Sequence, residues 1–429
     1  ILGGLANTID LMIIGRILQG SGAGLVQPLS MVLMFQVFPV EQRGRAMGIF
    51  SVGITVAPTI GPAVGGVLLD AFNWHYVFFM SVPIAVIGIM LAAVFMPAAA
   101  RKGPLPAFDW AGLILVISFI SCTLTGLSSG LREGWGAPVI ALLFSIAIIS
   151  FVAFILWELQ TQNPILQLRV FFNRKFAAAV VVGMVLSVGL FGSAYIIPLF
   201  VQAVQGYSPT RSGLLLMPSG ILMMAMFPIA GRLSDRLPGY QMIVLGLAVF
   251  GASCVLMMQA HTDTPFWVFV VWITIGRIGL ATMMPPLTVT AVSTLKPDLL
   301  SQGSGALNFS RQFGGAVGVN VLALILGERT AFFYDAFTGL QTPDNSATLH
   351  LMSQFSHILG QLGWPLEMMP AGALYLVGRS IHTQASMMAF SDAFLFMAAL
   401  YFMTVIPALF LMDLPIKTKF RTKLRLRHG

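Results

Sequence analysis

Residues 46–69 read AMGIFSVGITVAPTIGPAVGGVLL, twenty-four residues without one charged side chain. As a helix this run is about 36 Å long, enough to cross a hydrocarbon core of roughly 30 Å. A bilayer offers the backbone no water, so such a run must satisfy its own hydrogen bonds, which selects the helix. Within it Gly53, Ala57, Gly61 and Gly65 recur every four residues. On a helix they line one slowly drifting face that another backbone can approach closely. Pro58 and Pro62 break the hydrogen-bond ladder beside that face, which a membrane helix tolerates when its neighbours occupy the freed carbonyls. Two readings stay open: a tight packing seam, and a bendable seam between two bundles that rock against each other.

Runs of the same kind recur along the chain. Spans are expected at roughly 10–36, 45–69, 75–98, 108–129, 138–158, 175–203, 211–232, 240–260, 266–293, 302–327 and 388–413, with residues 1–8 as the end of one more. The stretch 328–387 is the one long connection and is too interrupted by polar residues to cross. The 429 residues are 57% hydrophobic and only 9% charged, with a mean hydropathy of +0.89. A soluble chain carries roughly a quarter charged residues. The fold class is therefore an all-α, polytopic membrane helix bundle.

Basic residues fix its orientation, because cytoplasmic loops are enriched in Lys and Arg. If the loop after the first full span faces the cytoplasm and sides alternate, the inner set holds 16 of the 23 basic residues and the outer set 4. The inner set is Arg43, Arg45, Arg101, Lys102, Arg169, Arg174, Lys175, Arg232, Arg236, Lys296 and six in the tail at 414–429; the outer set is Arg132, Arg211, Arg329 and Arg379. A wrong span count would scramble this bias. It also accounts for the net charge of +8: the basic tail suits anionic headgroups of the lipid bilayer, and no nucleic-acid partner is expected.

Reactive chemistry is absent from the pattern. Cys122 and Cys254 lie inside apolar runs, and the six histidines form no HExxH or paired-ligand arrangement. No cofactor or metal is expected, and no enzyme.

Three strings carry a family resemblance. Ala57-Pro58-Thr59-Ile60-Gly61-Pro62-Ala63-Val64-Gly65-Gly66 resembles the antiporter motif of major facilitator drug pumps. Arg16-Ile17-Leu18-Gln19-Gly20-Ser21-Gly22 is similar to the family's RxxQGxG motif, associated there with proton transfer. Gly231-Arg232-Leu233-Ser234-Asp235-Arg236 resembles its charged gating loop. Asp109-Trp110-Ala111-Gly112, Glu158, Asn163-Pro164-Ile165-Leu166 and Arg311-Gln312-Phe313-Gly314-Gly315 look like elements of the 14-span drug:proton antiporters of the EmrB/QacA type, and Phe390-Ser391-Asp392-Ala393-Phe394 leans toward the EmrB branch.

The resemblance implies a major facilitator fold: residues 1–98 as the remainder of an N-terminal half, 99–173 as two extra linking helices, and 174–429 as the C-terminal half. About three further spans are expected before Ile1. The function it implies is proton-coupled efflux of small amphipathic substrates by alternating access across a bacterial inner membrane. Arg16 and Gln19 would serve proton coupling; Pro58, Gly61, Pro62, Gly65 and Gly66 would carry the antiporter motif, with Gly61 and Pro62 as the moving seam; and Gly231, Asp235 and Arg236 would form the inner gating loop. A periplasmic adaptor and an outer-membrane channel are implied partners, with 328–387 as the candidate contact. A carrier for one metabolite or siderophore is the alternative, and a non-transporting receptor or scaffold the second.

Arg16, Arg277 and Arg311 fall inside spans, where a charge costs about 2.5–3.5 kcal/mol on insertion scales and normally faces the bundle interior. Arg277 repeats the position of Arg16. Asn308, Arg311 and Gln312 are expected to form a polar patch on the substrate cavity, although helix–helix adhesion explains them equally well. No acid lies at mid-span in the sequence, so the three arginines suit neutral or weakly acidic amphiphiles better than dications.

Overall fold

The computed structural model describes residues 1–39, 42–95, 108–296, 299–342 and 344–412, with only the backbone of residues 28, 35 and 36. Arg101, Lys102 and the basic tail at 414–429 lie outside the described residues. Among those described, eleven helices are long and apolar enough to cross a membrane, matching the expected number.

They are α1 (Ile9–Val37) and α2 (Arg43–Ala71); α3 (Trp74–Phe79) with α4 (Ser81–Phe95), which together make one span; α5 (Trp110–Glu133) and α6 (Pro138–Gln160); and α7 (Arg174–Ala203), α8 (Pro209–Ser234), α9 (Gly239–Met257) and α10 (Phe266–Ser293). The last two spans belong to α11 (Leu300–Gly339) and to α13 (Met369–Met403) with the short α14 (Val405–Leu409). Between them lies α12 (Ser346–Gln361).

Local chemistry sets the ends. Thr8, Asp109, Asn173, Ser208 and Asn345 each accept a first-turn N–H as N-caps of α1, α5, α7, α8 and α12, relieving donors that the helix leaves unpaired. α2 runs unbroken through Pro58 and Pro62.

The core lies within α7–α11 and α13, where Phe176, Phe200, Phe227, Phe269, Phe394 and Tyr401 are fully buried. The Tyr401 hydroxyl donates to the Leu186 carbonyl at 3.1 Å, giving its polar tip the partner that burial requires. α1, α4 and α6 instead expose much of their apolar surface, as suits helices bathed in lipid.

Contacts between helices sort their ends into two groups. Asp235 at the end of α8 meets Gly44 at the start of α2, and Asn173 at the start of α7 donates to Thr294 at the end of α10 at 3.0 Å. Phe119 packs against Phe313 and Gly327 lies under Leu131, so α5 and α11 run parallel. One end of the bundle thus gathers the starts of α2, α5, α7, α9 and α11. The described members of the expected inner basic set lie at this end.

The stretch 328–387 corrects the sequence reading. It is no irregular connection: α11 continues to Gly339, α12 follows, and α13 begins at Met369. Gly372 of α13 sits so close to α12 that a Cβ there would lie 2.8 Å from Leu359. Continuous apolar runs mark helices only where they cross the bilayer, and a helix that rises beyond it needs only a one-sided apolar stripe. Leu359, Ala373, Val377 and Ala385 are that stripe's buried residues.

Candidate functional site

α2 and α8 pack antiparallel along their whole length, and small residues bring their backbones together. A Cβ on Gly48 would lie 2.6 Å from the Phe227 carbonyl oxygen, and one on Gly66 would lie 2.6 Å from that of Pro209. Gly231 faces Gly44 and Gly48, Gly213 faces Pro62 and Ala63, and Gly220 faces Thr59. The buried face of α2 is Gly44, Gly48, Ser51, Thr55, Thr59, Ala63 and Gly66.

This face differs from the one read in the sequence. Gly53, Gly61 and Gly65 have no described atom of another helix within 4 Å of a Cβ placed on them, and Ala57 is exposed. The serine and threonines explain the difference. Thr55 returns its hydroxyl to the Ser51 carbonyl at 2.7 Å, so it presents a compact surface to α8 despite its polar atom.

Each end of the seam is closed by a carboxylate from one helix on the N-terminus of the other. Asp235 accepts the Gly44 N–H at 2.9 Å and the Arg45 N–H at 3.1 Å. Asp70, at the last turn of α2, accepts the Thr210 N–H at 3.1 Å and the Thr210 hydroxyl. A negative charge at a helix N-terminus meets unpaired N–H groups and the positive end of the helix dipole. Asp235 was expected in a gate; Asp70 and Thr210 were not, and in the sequence they show only as a polar pair at span ends. Arg236 is exposed beside Asp235.

Between these closures lies a cavity of about 260 Å³. Thr55, Pro58, Thr59 and Pro62 of α2 form one wall, Ser187, Leu190 and Phe191 of α7 and Met223 of α8 another. Arg277 and Met284 of α10 and Asn308, Arg311 and Gln312 of α11 complete it. The three residues expected as a polar patch are therefore together, with Arg277 beside them. Gln312 donates to Gln27 of α1 at 3.3 Å, linking α11 to the first helix. Arg311 Nη1 lies 3.4 Å from Thr288 Oγ1, and no carboxylate lines the cavity among the described residues. Two guanidinium groups thus face a mainly apolar space with no described counter-charge.

Arg16 and Gln19 lie elsewhere, on the exposed face of α1. The guanidinium donates to Gln19 Oε1 at 3.0 Å, and no described carboxylate pairs with it. Among the described residues no three of His, Cys, Asp or Glu gather as a metal site.

The Major Facilitator Superfamily profile matches residues 1–319. An uncharacterized MFS-type transporter of Bacillus subtilis, YhcA, is 29% identical over 426 residues, which are 98% of this chain and 79% of that protein. The multidrug transporter protein MdtP of Bacillus subtilis is 30% identical over 328 residues, 76% of this chain and 60% of that protein. The multidrug export protein EmrB of Haemophilus influenzae is 28% identical over 359 residues, 82% of this chain and 70% of that protein.

Proposed function

Because this chain belongs to the Major Facilitator Superfamily, we propose that it exports amphipathic or hydrophobic compounds, driven by protons, by alternating access across a bacterial inner membrane. It is a multi-span transporter of small substrates, not an enzyme. Similarity to MdtP and EmrB, whose names record multidrug transport and export, supports the drug-pump reading. The helices α5 and α6 suit the extra pair of the 14-span EmrB/QacA-type branch.

The observation that carries the reading is the cavity beside a seam closed at both ends. Contacts that can break separately at the two ends of the helix pair beside the cavity suit alternating access, in which the substrate site opens to one side at a time. Pro58 and Pro62 line the cavity on the helix that carries both closures, so bending of α2 couples cavity shape to the gates. Arg277 and Arg311 favour a substrate that is neutral or bears a weakly acidic group, since an anion supplies the charge the cavity lacks. Proton coupling is assigned to Arg16 with Gln19. Where a periplasmic adaptor and outer-membrane channel take part, the extension built from the end of α11, α12 and the start of α13 offers the contact, with Leu362, Leu366 and Tyr375 exposed on it.

The test is flux of a fluorescent amphiphile in inverted vesicles, with and without Arg16→Ala. Flux abolished by a protonophore and by the substitution supports both the pump and the role of Arg16. Flux that survives the substitution removes Arg16 from coupling. Absence of flux for every amphiphile, with tight competition by one metabolite, moves the assignment to a single-substrate carrier; absence of any coupled flux moves it to a receptor or scaffold.

A further inference from the structure

Where α5 begins and α6 ends, two carboxylates meet with no counter-charge among the described residues. Asp109 Oδ1 accepts the Gly112 N–H at 2.9 Å and the Trp157 indole N–H at 2.8 Å. Glu158 Oε2 accepts the Leu166 N–H at 3.2 Å, tying the segment after α6 back to its last turn. Both residues are more than nine-tenths buried, Asp109 at 8% and Glu158 at 4% exposure. Each nevertheless keeps one buried oxygen with no partner, Asp109 Oδ2 and Glu158 Oε1.

The two orphan oxygens point to one place. A Cβ on Gly112 would lie 2.5 Å from Asp109 Oδ2 and 2.7 Å from Glu158 Oε1, so their separation cannot exceed the sum of those distances. A pocket of about 230 Å³ opens on Glu158 and is lined also by Gln167, whose Oε1 is a third buried acceptor without a partner. Among the described residues the cluster has acceptors to spare and no donor to match them.

No neighbouring element supplies the missing charge among the described residues. Arg169 lines the same pocket but is exposed and makes no ion pair with either acid. The other charges of α5, Arg132 and Glu133, sit at its far end. On α11, which packs against α5, Arg311 faces the cavity, and Glu328, Arg329 and Asp335 lie toward the opposite end of the bundle. Two buried like charges repel, and an unsatisfied buried acceptor costs about 1–3 kcal/mol, more when charged. One positive charge between the oxygens removes both penalties.

We propose that Asp109 and Glu158 form a binding site for one small monovalent cation, a proton or an alkali-metal ion. Gly112 belongs to it, because any side chain there would occupy the space between the two oxygens. Neither acid lines the transport cavity, so the site stands apart from the substrate assignment.

The site is tested by the thermal unfolding midpoint of the purified protein in lipid nanodiscs, from mildly acidic to mildly alkaline pH, in sodium and in choline chloride. Wild type is compared with Glu158→Gln and Asp109→Asn. Each amide keeps the oxygen that accepts the backbone N–H and offers an NH₂ to the remaining carboxylate, so both variants retain the local fold. A cation bound only by the folded protein stabilises it in proportion to its occupancy. If the occupant is a proton, the wild-type midpoint falls as pH rises, equally in both salts, and that fall is lost in both variants. If it is an alkali-metal ion, sodium raises the wild-type midpoint at alkaline pH over choline, and that rise is lost in both variants. Variants that keep the wild-type dependence on pH and on sodium overturn the proposal, as does a wild-type midpoint that responds to neither.

Discussion

The carboxylate of Asp235 accepts the backbone N–H of Gly44 at 2.9 Å across 191 residues of chain. At the other end of the same helix pair Asp70 plays the mirrored part toward Thr210. Each helix of the pair thus closes the N-terminus of its partner with an acid from its own C-terminal end. This reciprocity makes the α2–α8 seam a unit whose two ends can be broken separately.

Breaking the Asp235 end is expected to shift the balance of transport states. Two charge-assisted bonds, partly open to water, contribute about 1 kcal/mol each. Their loss in Asp235→Ala changes the population ratio of closed to open states by roughly tenfold or more. Asp235→Asn keeps an acceptor but loses the charge, and falls between the two. Efflux rates of the three proteins at equal expression check the order; equal rates would remove the closure from the transport cycle.

The Asp70 closure predicts coupling between its partners. Asp70→Asn and Thr210→Val each remove part of one hydrogen-bonded pair, so the double variant loses less than the two single losses added together. The thermal unfolding midpoints of the four proteins report this, and simple additivity would deny the contact.

Glycines on the two faces of α2 separate packing from motif. In Gly48→Ala and Gly66→Ala the new methyl meets backbone of α8, which cannot give way as a side chain tip does. Overpacking of this kind costs about 1–3 kcal/mol. Gly53→Ala and Gly61→Ala meet no described atom of another helix within 4 Å and leave the unfolding midpoint close to wild type. A midpoint lowered equally at all four positions would contradict the face assigned to α8.

These contrasts show where the sequence was sufficient. The spans and their alternation were legible because a bilayer enforces a length and a charge rule that few residues violate. The face of α2 was not, because a glycine and alanine repeat leaves out Ser51, Thr55 and Thr59, although Thr55 hides its hydroxyl on its own helix. The helical extension at 328–387 was missed for a related reason: outside the bilayer a helix is no longer announced by continuous apolarity. At the cavity, Asn308, Arg311 and Gln312 were legible as polar groups on one stretch of span. That Thr55, Thr59 and Ser187 join them depends on which helices face one another, a long-range fact with no local signal.

The arginines of the cavity give the sharpest chemical prediction. Arg277 and Arg311 line one mainly apolar space with no described carboxylate, so each guanidinium retains a strong preference for an anionic group. In Arg311→Gln a polar side chain of similar reach replaces the charge, and the neighbouring Thr288 hydroxyl can still be engaged. A charge-assisted contact is worth about 1.5–3 kcal/mol, so competition by a hydrophobic weak acid should weaken by roughly tenfold or more, while competition by a neutral amphiphile of similar size changes little. Arg277→Gln should act in the same direction, because both groups line the same cavity. Equal weakening for both ligands would make Arg311 a structural link between α11 and α10, and tighter competition by a quaternary ammonium dye in wild type would reverse the charge preference assigned to the cavity.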